Sequence, residues 1–401
     1  MNLAFLFFIL SAVIINAEPL HTIKLTRGTN FLSGSMDAME YVKYTKKSAL
    51  NKYSRLISNQ NIKSRRRHYR RANQETTVMQ DEQNDLSYFG QITVGNQNFN
   101  VILDTGSSNL FVPNKGCTSL TCKNHNVFDP AKSPTFKPEG NPWKIQYGIG
   151  SASGITGIDN VQIGTFIAQN QIFGLANLIS DDNAQHIPDG ILGLAFDNLN
   201  TMDKNAPTLV STLINQNVMN PIFSFHFSRA ADVNDQGTFT LGGVDQTKFT
   251  GNINYNPVIA TPAIKTIGLW TINLDDVVVN DQPIGFTGRS AIIDSGTSNI
   301  ILPNADAAIV HQQIPGSQFV PDASAYVIPC DTTTVVSFKF GGINYAIQPK
   351  DLILVPLDQN NCVSTLLPIL DLGPTTWLIG IPFLKNVYSV FDVANKNIGF
   401  A

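Results

Sequence analysis

Charged residues are scarce in this chain. They make up 14% of its 401 residues, whereas hydrophobic residues make up 43%. So little charge beside so much apolar content excludes a disordered chain and predicts a large packed core. The length is sufficient for two ordinary domains with additional segments. The 29 glycines and 21 prolines are spread along the chain, which is typical of a protein built from many short strands and turns.

No apolar run is long enough to cross a bilayer, which needs about 20 residues. The 13-residue run Leu3–Ile15 is too short to span but has the length of a signal-peptide core, although no Lys or Arg precedes it. Ile15-Asn16-Ala17 provides a cleavage site with a small last residue. We therefore predict a signal peptide at residues 1–17, a secreted product and no membrane anchor. The chain has no Asn-x-Ser/Thr sequence, so N-glycosylation is not expected.

Cysteine is also scarce, with four residues in the whole chain. An even number of cysteines in a secreted chain predicts two disulfides, and proximity in sequence pairs Cys117 with Cys122 and Cys330 with Cys362. No compact Cys/His cluster is present, and His125 is interpreted as a loop histidine. We expect no metal and no other cofactor.

The net charge of −3 conceals an asymmetry between two parts of the chain. Residues 18–71 hold 13 Lys and Arg against three acids, whereas residues 72–401 carry a net charge of −13. A basic leader on an acidic body predicts a propeptide at residues 18–71 that acts as an intramolecular inhibitor. The alternative, a basic arm for nucleic acid, would be unusual behind a secretion signal, and an acidic body gives it no support. The cluster Arg65–Arg71 predicts a processing site, with a solvated surface as the alternative.

Short strands and turns dominate the chain from Tyr88 onward. Tyr88–Gly95 and Phe99–Leu103 have the alternation of two strands joined by a Gly/Asn turn, and Val335–Ile347 reads as a hairpin. Few helices are expected in this part, the best candidates being Pro207–Asn217 and Ala305–Gln313. The fold class is therefore mostly β.

An internal repeat relates the two halves of the body. Val101–Pro113 reads VILDTGSSNLFVP and Ala291–Pro303 reads AIIDSGTSNIILP, with identical residues at six of thirteen positions. Each copy is followed, 89 and 86 residues after its aspartate, by an apolar pair and a glycine that end at Gly193 and Gly380. The repeat predicts two related β-rich halves, residues 72–248 and 249–401, each contributing one aspartate.

Each copy places an aspartate in a tight turn at the end of a buried strand. Glycine permits close backbone approach there, and the flanking hydroxyls can orient the carboxylate. Asp-Thr-Gly alone is also a common turn, so the argument depends on the second copy. Two carboxylates about 3 Å apart would repel by roughly 5 kcal/mol at an effective dielectric constant of about 20, so the pair would share a proton. One carboxylate could then deprotonate a water while the other protonates a peptide carbonyl oxygen, which is peptide hydrolysis without a metal.

These paired motifs resemble those of the pepsin/cathepsin D family of aspartic proteases, over about residues 86–401. The resemblance implies a bilobal fold of two related β-rich lobes, with the active site in the cleft between them and Asp104 and Asp294 as the catalytic pair. In such a site the hydroxyls at 107 and 297 would hydrogen-bond the outer carboxylate oxygens, and those at 105 and 295 would cross-brace the two turns. The residues implied to support the pair are Thr105, Gly106, Ser107, Ser295, Gly296 and Thr297.

The segment Tyr147-Gly148-Ile149 resembles the family's flap, a hairpin that closes over bound substrate. A surface tyrosine beside a glycine turn is the alternative for Tyr147. The chain departs from common family patterns at Ile149, at Phe111, which has no hydrogen-bond donor for the flap tyrosine, and at Leu269. These apolar residues predict a preference for large hydrophobic residues around the cleaved bond and poor cleavage after lysine.

The segment Ala49–Tyr53 resembles the part of the family's propeptide in which a lysine pairs with both catalytic aspartates. Lys52 is therefore the candidate for occluding the site, with Tyr53 as its neighbour; an ordinary lysine on a helix surface is the alternative. Acidification towards pH ~4 would protonate carboxylates and weaken the attraction of the leader for the body. Self-cleavage and cutting after Arg71 by a convertase specific for basic sites both remain open.

The sequence as a whole predicts a secreted, monomeric aspartic endopeptidase made as a zymogen. Its partners would be protein or peptide substrates and its own propeptide as inhibitor. Secretion is favoured over an acidic vacuole or lysosome because a proline-rich loop found in some lysosomal relatives is absent. The main rival is a non-catalytic binding protein on the same fold, although such proteins usually lose one of the residues corresponding to Asp104, Gly106, Asp294 and Gly296. A serine nucleophile elbow and a zinc-protease His-Glu-x-x-His are both missing.

Overall fold

A computed structural model describes residues 38–58 and 74–401, apart from residues 83–84, 86, 148–149, 181–186, 203–205, 233–234, 261–265 and 370–372. The predicted signal peptide at residues 1–17 and the arginine cluster at residues 65–71 lie outside the described residues. So do Gly148 and Ile149 of the predicted flap.

The described residues fold mostly as β-strands, as the sequence predicts. The strands up to residue 248 are β1 Glu75–Val78, β2 Gln80–Glu82, β3 Ser87–Val94, β4 Gln97–Asp104, β5 Leu110–Pro113, β6 Lys137–Gln146, β7 Ser151–Ile163, β8 Phe166–Ile179, β9 Gly190–Gly193, β10 Ile222–His226 and β11 Thr238–Leu241. The later strands are β12 Asn254–Pro257, β13 Thr271–Leu274, β14 Asp276–Val279, β15 Gln282–Pro283, β16 Arg289–Ile293, β17 Ile300–Leu302, β18 Gln318–Val320, β19 Ala325–Pro329, β20 Val336–Phe340, β21 Ile343–Ile347, β22 Ile353–Pro356, β23 Asn361–Ser364, β24 Leu366–Pro368, β25 Thr376–Ile379, β26 Tyr388–Asp392 and β27 Asn397–Phe400.

Among the described residues, the helices of the body are short and the leader helix is the longest. They are α1 Ala38–Ser58, α2 Leu120–Lys123, α3 Leu209–Asn215, α4 Asn304–Gln312 and α5 Ile381–Leu384, with 3₁₀ turns at Pro130–Lys132, Asp197–Leu199, Gln246–Lys248 and Pro349–Leu352. Both body helices predicted from the sequence are confirmed. The first begins where the Thr208 hydroxyl accepts a hydrogen bond from the Ser211 N–H at 3.2 Å, a standard N-cap. Among the described residues, no helix is long and apolar enough to span a membrane.

The two halves of the body form sheets with the same central arrangement. In the first half an eight-stranded sheet has the order β2-β3-β4-β9-β5-β8-β7-β6. Here β9 lies between β4 and β5, parallel to the first and antiparallel to the second. In the second half β25 lies between β16 and β17 in the same two orientations. The repeated apolar-apolar-glycine segments therefore occupy equivalent central positions beside the two aspartate turns.

A six-stranded sheet, in the order β1-β11-β10-β26-β27-β12, joins the two halves. Its first three strands come from residues before 248 and the other three from residues after it. Stacked and edge-to-face phenylalanines, including Phe223, Phe225 and Phe391, fill its centre. The predicted boundary between residues 248 and 249 falls between a 3₁₀ turn and β12, and it stays a prediction.

Local turn chemistry explains the predicted hairpin in the second half. The strands β20 and β21 pair in antiparallel register from Phe340–Ile343 outward. Their two-residue turn is Gly341-Gly342, with φ values of 56° and 81°, a conformation that glycine adopts without steric cost. Both predicted disulfides, Cys117–Cys122 and Cys330–Cys362, are present.

Candidate active site

The two repeated aspartates lie at the ends of equivalent central strands. Asp104 is the last residue of β4, and Asp294 directly follows β16. Both are buried, at 2% and 0% exposure. A side chain at Gly106 would overlap the Asp294 carboxylate, and one at Gly296 would overlap the Asp104 carboxylate. Glycine at these two positions therefore allows the two turns to approach closely enough for the carboxylates to meet.

Two donors from its own turn orient the Asp104 carboxylate. The Gly106 N–H donates to Oδ1 at 2.9 Å, and the Ser107 hydroxyl donates to Oδ2 at 2.5 Å. These bonds leave Oδ1 facing the second turn. The oxygen with the hydroxyl donor is the outer oxygen predicted from the resemblance.

The same pattern recurs at Asp294. The Gly296 N–H donates to its Oδ1 at 2.9 Å, and the Thr297 hydroxyl donates to its Oδ2 at 2.5 Å. The repeat in the sequence thus produces matching hydrogen-bond geometry on both sides of the site.

A pair of hydroxyls braces the two turns from behind. The Thr105 hydroxyl donates to the Ile293 carbonyl at 2.9 Å and accepts from the Ser295 N–H at 2.9 Å. In return, the Ser295 hydroxyl donates to the Leu103 carbonyl at 2.6 Å and accepts from the Thr105 N–H at 3.0 Å. Ser295 therefore makes the same two kinds of hydrogen bond as its counterpart in the first half, Thr105.

The second motif of each repeat threads directly past the aspartate turn. The Gly193 N–H donates to the Asn109 carbonyl at 2.9 Å, and the Gly380 N–H donates to the Asn299 carbonyl at 3.1 Å. A side chain on either glycine would collide with the backbone of the neighbouring turn. This contact explains why each repeat ends its second motif in glycine.

The leader helix α1 delivers two residues to the carboxylates. The Lys52 Nζ lies 2.7 Å from Asp104 Oδ1 and 3.1 and 2.9 Å from the two Asp294 oxygens. The Tyr53 hydroxyl donates to Asp294 Oδ2 at 2.6 Å. The ammonium group therefore occupies the space between the two carboxylates.

Burial and the Lys52 charge act in opposite directions on the two acids. Burial raises the pKa of Asp104, and repulsion by Asp294 adds to it, so the attraction of Lys52 is outweighed. Burial acts in the same direction at Asp294, but there Lys52 and the hydrogen bonds of Thr297 and Tyr53 prevail and lower its pKa to about 2. The two carboxyl groups thus differ in basicity despite their matching donors.

The predicted flap tyrosine lies at the edge of the site in an aromatic cluster. Its ring centre is 5.9 Å from that of Phe111, which in turn lies 5.5 Å from Trp143. The hydroxyl of Tyr147 is buried and makes no hydrogen bond of good geometry among the described residues, although the Ser107 side chain lies close enough to act against the rise in its pKa. Burial raises the Tyr147 pKa well above its usual value, and the Asp104 charge adds to this shift. Phe111 therefore supports the tyrosine by ring packing alone, and no sequence motif marks Trp143 as part of this cluster.

Leader residues also contact the body at a distance from the aspartates. The half-buried Lys46 donates from Nζ to the Ser324 carbonyl at 2.5 Å. Sequence reasoning missed this contact, because nothing near Ser324 resembles a lysine site. Tyr53 is 1% exposed and belongs to an apolar cluster with Leu269 and Ile369 of the second half.

Comparison with known proteins agrees with this geometry. The sequence profile of the family described as eukaryotic aspartyl protease matches residues 87–401. The chain belongs to the eukaryotic aspartyl protease family. It is 38% identical over 332 residues to an aspartic-type endopeptidase, ctsD, of Aspergillus fumigatus, a match that covers 81% of this chain and 68% of the relative.

Two further proteins are similar to this chain over about the same part of its length. A probable aspartic-type endopeptidase of Arthroderma benhamiae is 35% identical over 79% of this chain, which spans only 61% of that relative. Pepsin A of Sus scrofa is also 35% identical, over 79% of this chain and 81% of its own length. The predicted family, the mostly β pepsin-like fold and the enzyme class, an aspartic-type endopeptidase, are thus confirmed.

Proposed function

We propose that this protein is the latent precursor of a secreted aspartic endopeptidase that cleaves between hydrophobic residues at acidic pH. The observation that carries the proposal is the matched pair of buried carboxylates with a leader lysine between them. The Lys52 Nζ lies within 3.1 Å of three carboxylate oxygens of Asp104 and Asp294. In this arrangement both carboxylates are buried, at 2% and 0% exposure, so a peptide has no access to them.

In the processed enzyme, a water takes the place of the ammonium group. Without the Lys52 charge, repulsion between the two buried carboxylates favours one shared proton. The ionised carboxylate removes a proton from the water as it attacks the peptide carbonyl carbon. The protonated carboxyl group donates to the carbonyl oxygen, giving a tetrahedral intermediate without a covalent bond to the enzyme. The fixed hydroxyls of Ser107 and Thr297 hold both carboxylates in position during this step.

Acidic working conditions follow from the same shared proton. A site that needs one protonated carboxyl group loses activity when both groups ionise as the pH rises. The pKa of Asp104 is raised, so acid protonates this carboxylate first and removes one of the two charges that hold Lys52, which favours activation as well as catalysis. Secretion remains our proposal on the basis of the predicted signal peptide, with an acidic vacuole or lysosome as the alternative compartment.

The hydrophobic preference is supported by what surrounds the candidate cleft. On one side Phe111 packs against both Trp143 and Tyr147, and on the other Tyr53 belongs to an apolar cluster with Leu269 and Ile369. Because a buried aromatic residue of the leader fills the second site, a large apolar substrate side chain fits the same environment once the leader has gone.

The test is a peptide-library assay on acid-treated, processed protein at about pH 4. We expect cleavage between large hydrophobic residues and its loss when a statine-type transition-state analogue is added. Preferred cleavage after lysine would contradict the specificity. An absence of hydrolysis by folded, processed protein would instead favour the non-catalytic binding protein.

A further inference from the structure

We propose that His311 is an acid-sensing positioning residue for one wall of the candidate cleft. Neutral His311 holds the ring of Tyr326 in place, and protonated His311 releases it. The inference deepens the proposed function and rests on it, because this wall carries substrate once the leader has gone.

His311 supports an aromatic pair in the second half of the body. It lies on α4 and is 2% exposed. Its ring is parallel to that of Tyr326 on β19, with ring centres 3.9 Å apart and 7° between the planes. Phe319 on β18 packs against the same tyrosine, with ring centres 5.0 Å apart, and is 48% exposed. A buried histidine therefore lies beneath a surface formed by Phe319 and Tyr326, which we call the aromatic wall.

Two hydrogen bonds define the neutral form of the His311 ring. Its Nδ1 lies 2.7 Å from the Ala307 carbonyl oxygen, which can only accept, so Nδ1 carries the hydrogen. Its Nε2 lies 3.0 Å from Ser364 Oγ and accepts from that hydroxyl in the neutral ring. The same Oγ accepts from the Leu366 N–H at 3.2 Å. Donors and acceptors around the ring thus match while the ring is uncharged.

Protonation reverses one of these bonds. A second ring hydrogen on Nε2 points at Ser364 Oγ, so the hydroxyl has to turn its own hydrogen away. The ring also acquires a charge where water is almost excluded, which is unfavourable. Burial accordingly lowers the pKa of His311 to about 4, although the bond to Ala307 acts in the opposite direction. Acid therefore turns the support of the wall into a buried charge near the proposed working pH.

The neighbours of His311 do not remove this response. The titratable ring in contact with it is Tyr326, and burial raises the pKa of this tyrosine, so it is neutral in acid. Two acids on neighbouring elements are each paired with an arginine; the pairs are Asp306–Arg289 and Asp351–Arg229. The reversal of the Ser364 bond follows from protonation of the ring itself, whatever the charge of these pairs.

The aromatic wall borders the space that the leader occupies in the precursor. Phe319 and Tyr326 line a cavity of about 410 Å³ together with Lys46 and Leu50 of α1. Lys46 lies six residues before Lys52, or about 9 Å along the helix axis. An extended peptide covers that distance in about three residues. Departure of the leader therefore opens the wall to a substrate side chain two or three residues from the cleaved bond.

Titration of the ring tests the acid response without using activity. NMR spectra of the full chain with ¹³C-labelled histidine and tyrosine are recorded from about pH 7 to pH 3 in an Asp104→Asn background, which prevents self-cleavage. The His311 signal is the one that disappears in His311→Phe. We expect it to titrate near pH 4 and the Tyr326 ring signals to shift with the same midpoint. Titration of His311 near its ordinary value of 6.5, or Tyr326 signals that do not follow it, would overturn the proposal.

Peptide kinetics test the positioning role in the processed enzyme. Peptides carry Phe or Gly two or three residues from the cleaved bond, on either side of it. At pH 5 we expect Phe at one of these positions to lower KM about tenfold, the value of one aromatic contact. In the wild type most of this advantage should vanish between pH 5 and pH 3, with kcat changing equally for both peptides. Comparing two peptides at each pH cancels the titration of the aspartates.

A ring that cannot take a proton should remove the acid response. His311→Phe keeps a flat ring against Tyr326, so its advantage for the Phe peptide should be the same at pH 5 and pH 3. His125→Gln is the matched control, because the His125 Nδ1 also lies near a carbonyl oxygen four residues earlier, that of Thr121 at 2.6 Å. It should respond to acid like the wild type. If His311→Phe does not fold, His311→Gln, which retains an acceptor for Ser364, takes its place.

Two kinetic results would contradict the proposal. One is an advantage for the Phe peptide that is independent of pH in the wild type, and the other is the same acid response in the wild type and in His311→Phe. Failure of the proposed function is distinguishable from both. It appears as absent hydrolysis of every peptide by the processed wild type, and in that case the NMR titration still decides whether His311 responds to acid and moves Tyr326.

Discussion

The two halves of the site are alike in their own hydrogen bonds and unlike in their contacts with the leader. Each aspartate accepts from a glycine N–H at 2.9 Å and a hydroxyl at 2.5 Å. Only Asp294 accepts from Tyr53, and the apolar face of α1 packs mainly on the second half. Symmetry is therefore a property of the repeated body sequence, whereas asymmetry comes from the leader.

The unequal contacts of the leader bear on the pKa values of the two aspartates in the precursor. With the leader bound, burial dominates at Asp104 and raises its pKa, whereas at Asp294 the Lys52 charge and the hydrogen bonds with Asp104, Thr297 and Tyr53 together overcome burial and lower the pKa to about 2. The leader brings Lys52 to both acids but Tyr53 to Asp294 alone, which adds to the pKa difference between two carboxyl groups that have matching donors in the body. Removal of the leader leaves the two carboxyl groups with matched donors.

Lys52→Met should produce the largest change in precursor stability, because it leaves the two buried carboxylates without their cation. We expect a loss of about 4 kcal/mol in the free energy of unfolding at pH 7. The pKa of Asp294 is depressed to about 2, so its share of the stabilisation is present above its ordinary value near 4 and is lost as the pH falls towards 2. The difference between wild type and variant should therefore shrink over that range in urea titrations.

Lys47→Met, at an exposed position on the same helix, is the matched control for this measurement. It should change stability little at any pH. A constant difference between wild type and Lys52→Met from pH 7 to pH 2 would contradict the assignment of that stability to the carboxylates.

The disulfides offer a second comparison between the halves. The bridge Cys117–Cys122 closes a sequence separation of 5 residues, and Cys330–Cys362 closes one of 32. Chain-entropy arguments predict a cost of about 2 kcal/mol for replacing the first pair by alanine and about 4 kcal/mol for the second. Denaturant titration of the two double-alanine proteins measures this directly. A larger loss from the shorter loop would show that native packing around the bridge, rather than loop closure, sets the effect.

Substitutions in the cross-brace should give the smallest loss of stability, and the loss should be about the same for the two halves. Thr105→Val and Ser295→Ala each remove a hydroxyl that makes two hydrogen bonds, so each should cost about 1–3 kcal/mol in the free energy of unfolding. Thr93→Val, at an exposed hydroxyl that bonds only the Asn98 side chain among the described contacts, serves as a control with little expected loss. If one of the two brace variants were neutral, the brace would not be shared equally by the halves.

The parts of the site that the sequence predicted are those encoded locally and repeated. Asp104, Asp294 and their donors lie within a few residues of one another in each copy, so one motif fixes both the strand end and the turn. The pairing of cysteines by proximity was also sufficient, since each bridge joins neighbouring segments.

Contacts between distant segments could not be predicted in this way. The Glu75 carboxylate accepts from the Thr165 N–H at 2.7 Å, and Lys46 bonds Ser324 across 278 residues. Such contacts depend on where the sheets and α1 are placed in space, and no local pattern records that. The orphan hydroxyl of Tyr147 belongs to the same class: Phe111 indicated a missing donor, but the packing of Trp143 needed the structure.

The most direct test of the central claim, that one carboxylate from each half works as a single unit, is a double-mutant cycle on the processed enzyme. Asp104→Asn and Asp294→Asn are each expected to lower kcat/KM for a peptide substrate by about a thousandfold or more, with Asp322→Asn at an exposed site as a control. If the pair is one unit, the double variant should be no less active than either single variant. Losses that multiply in the double variant would contradict the account, because they would mean that the two aspartates contribute independently.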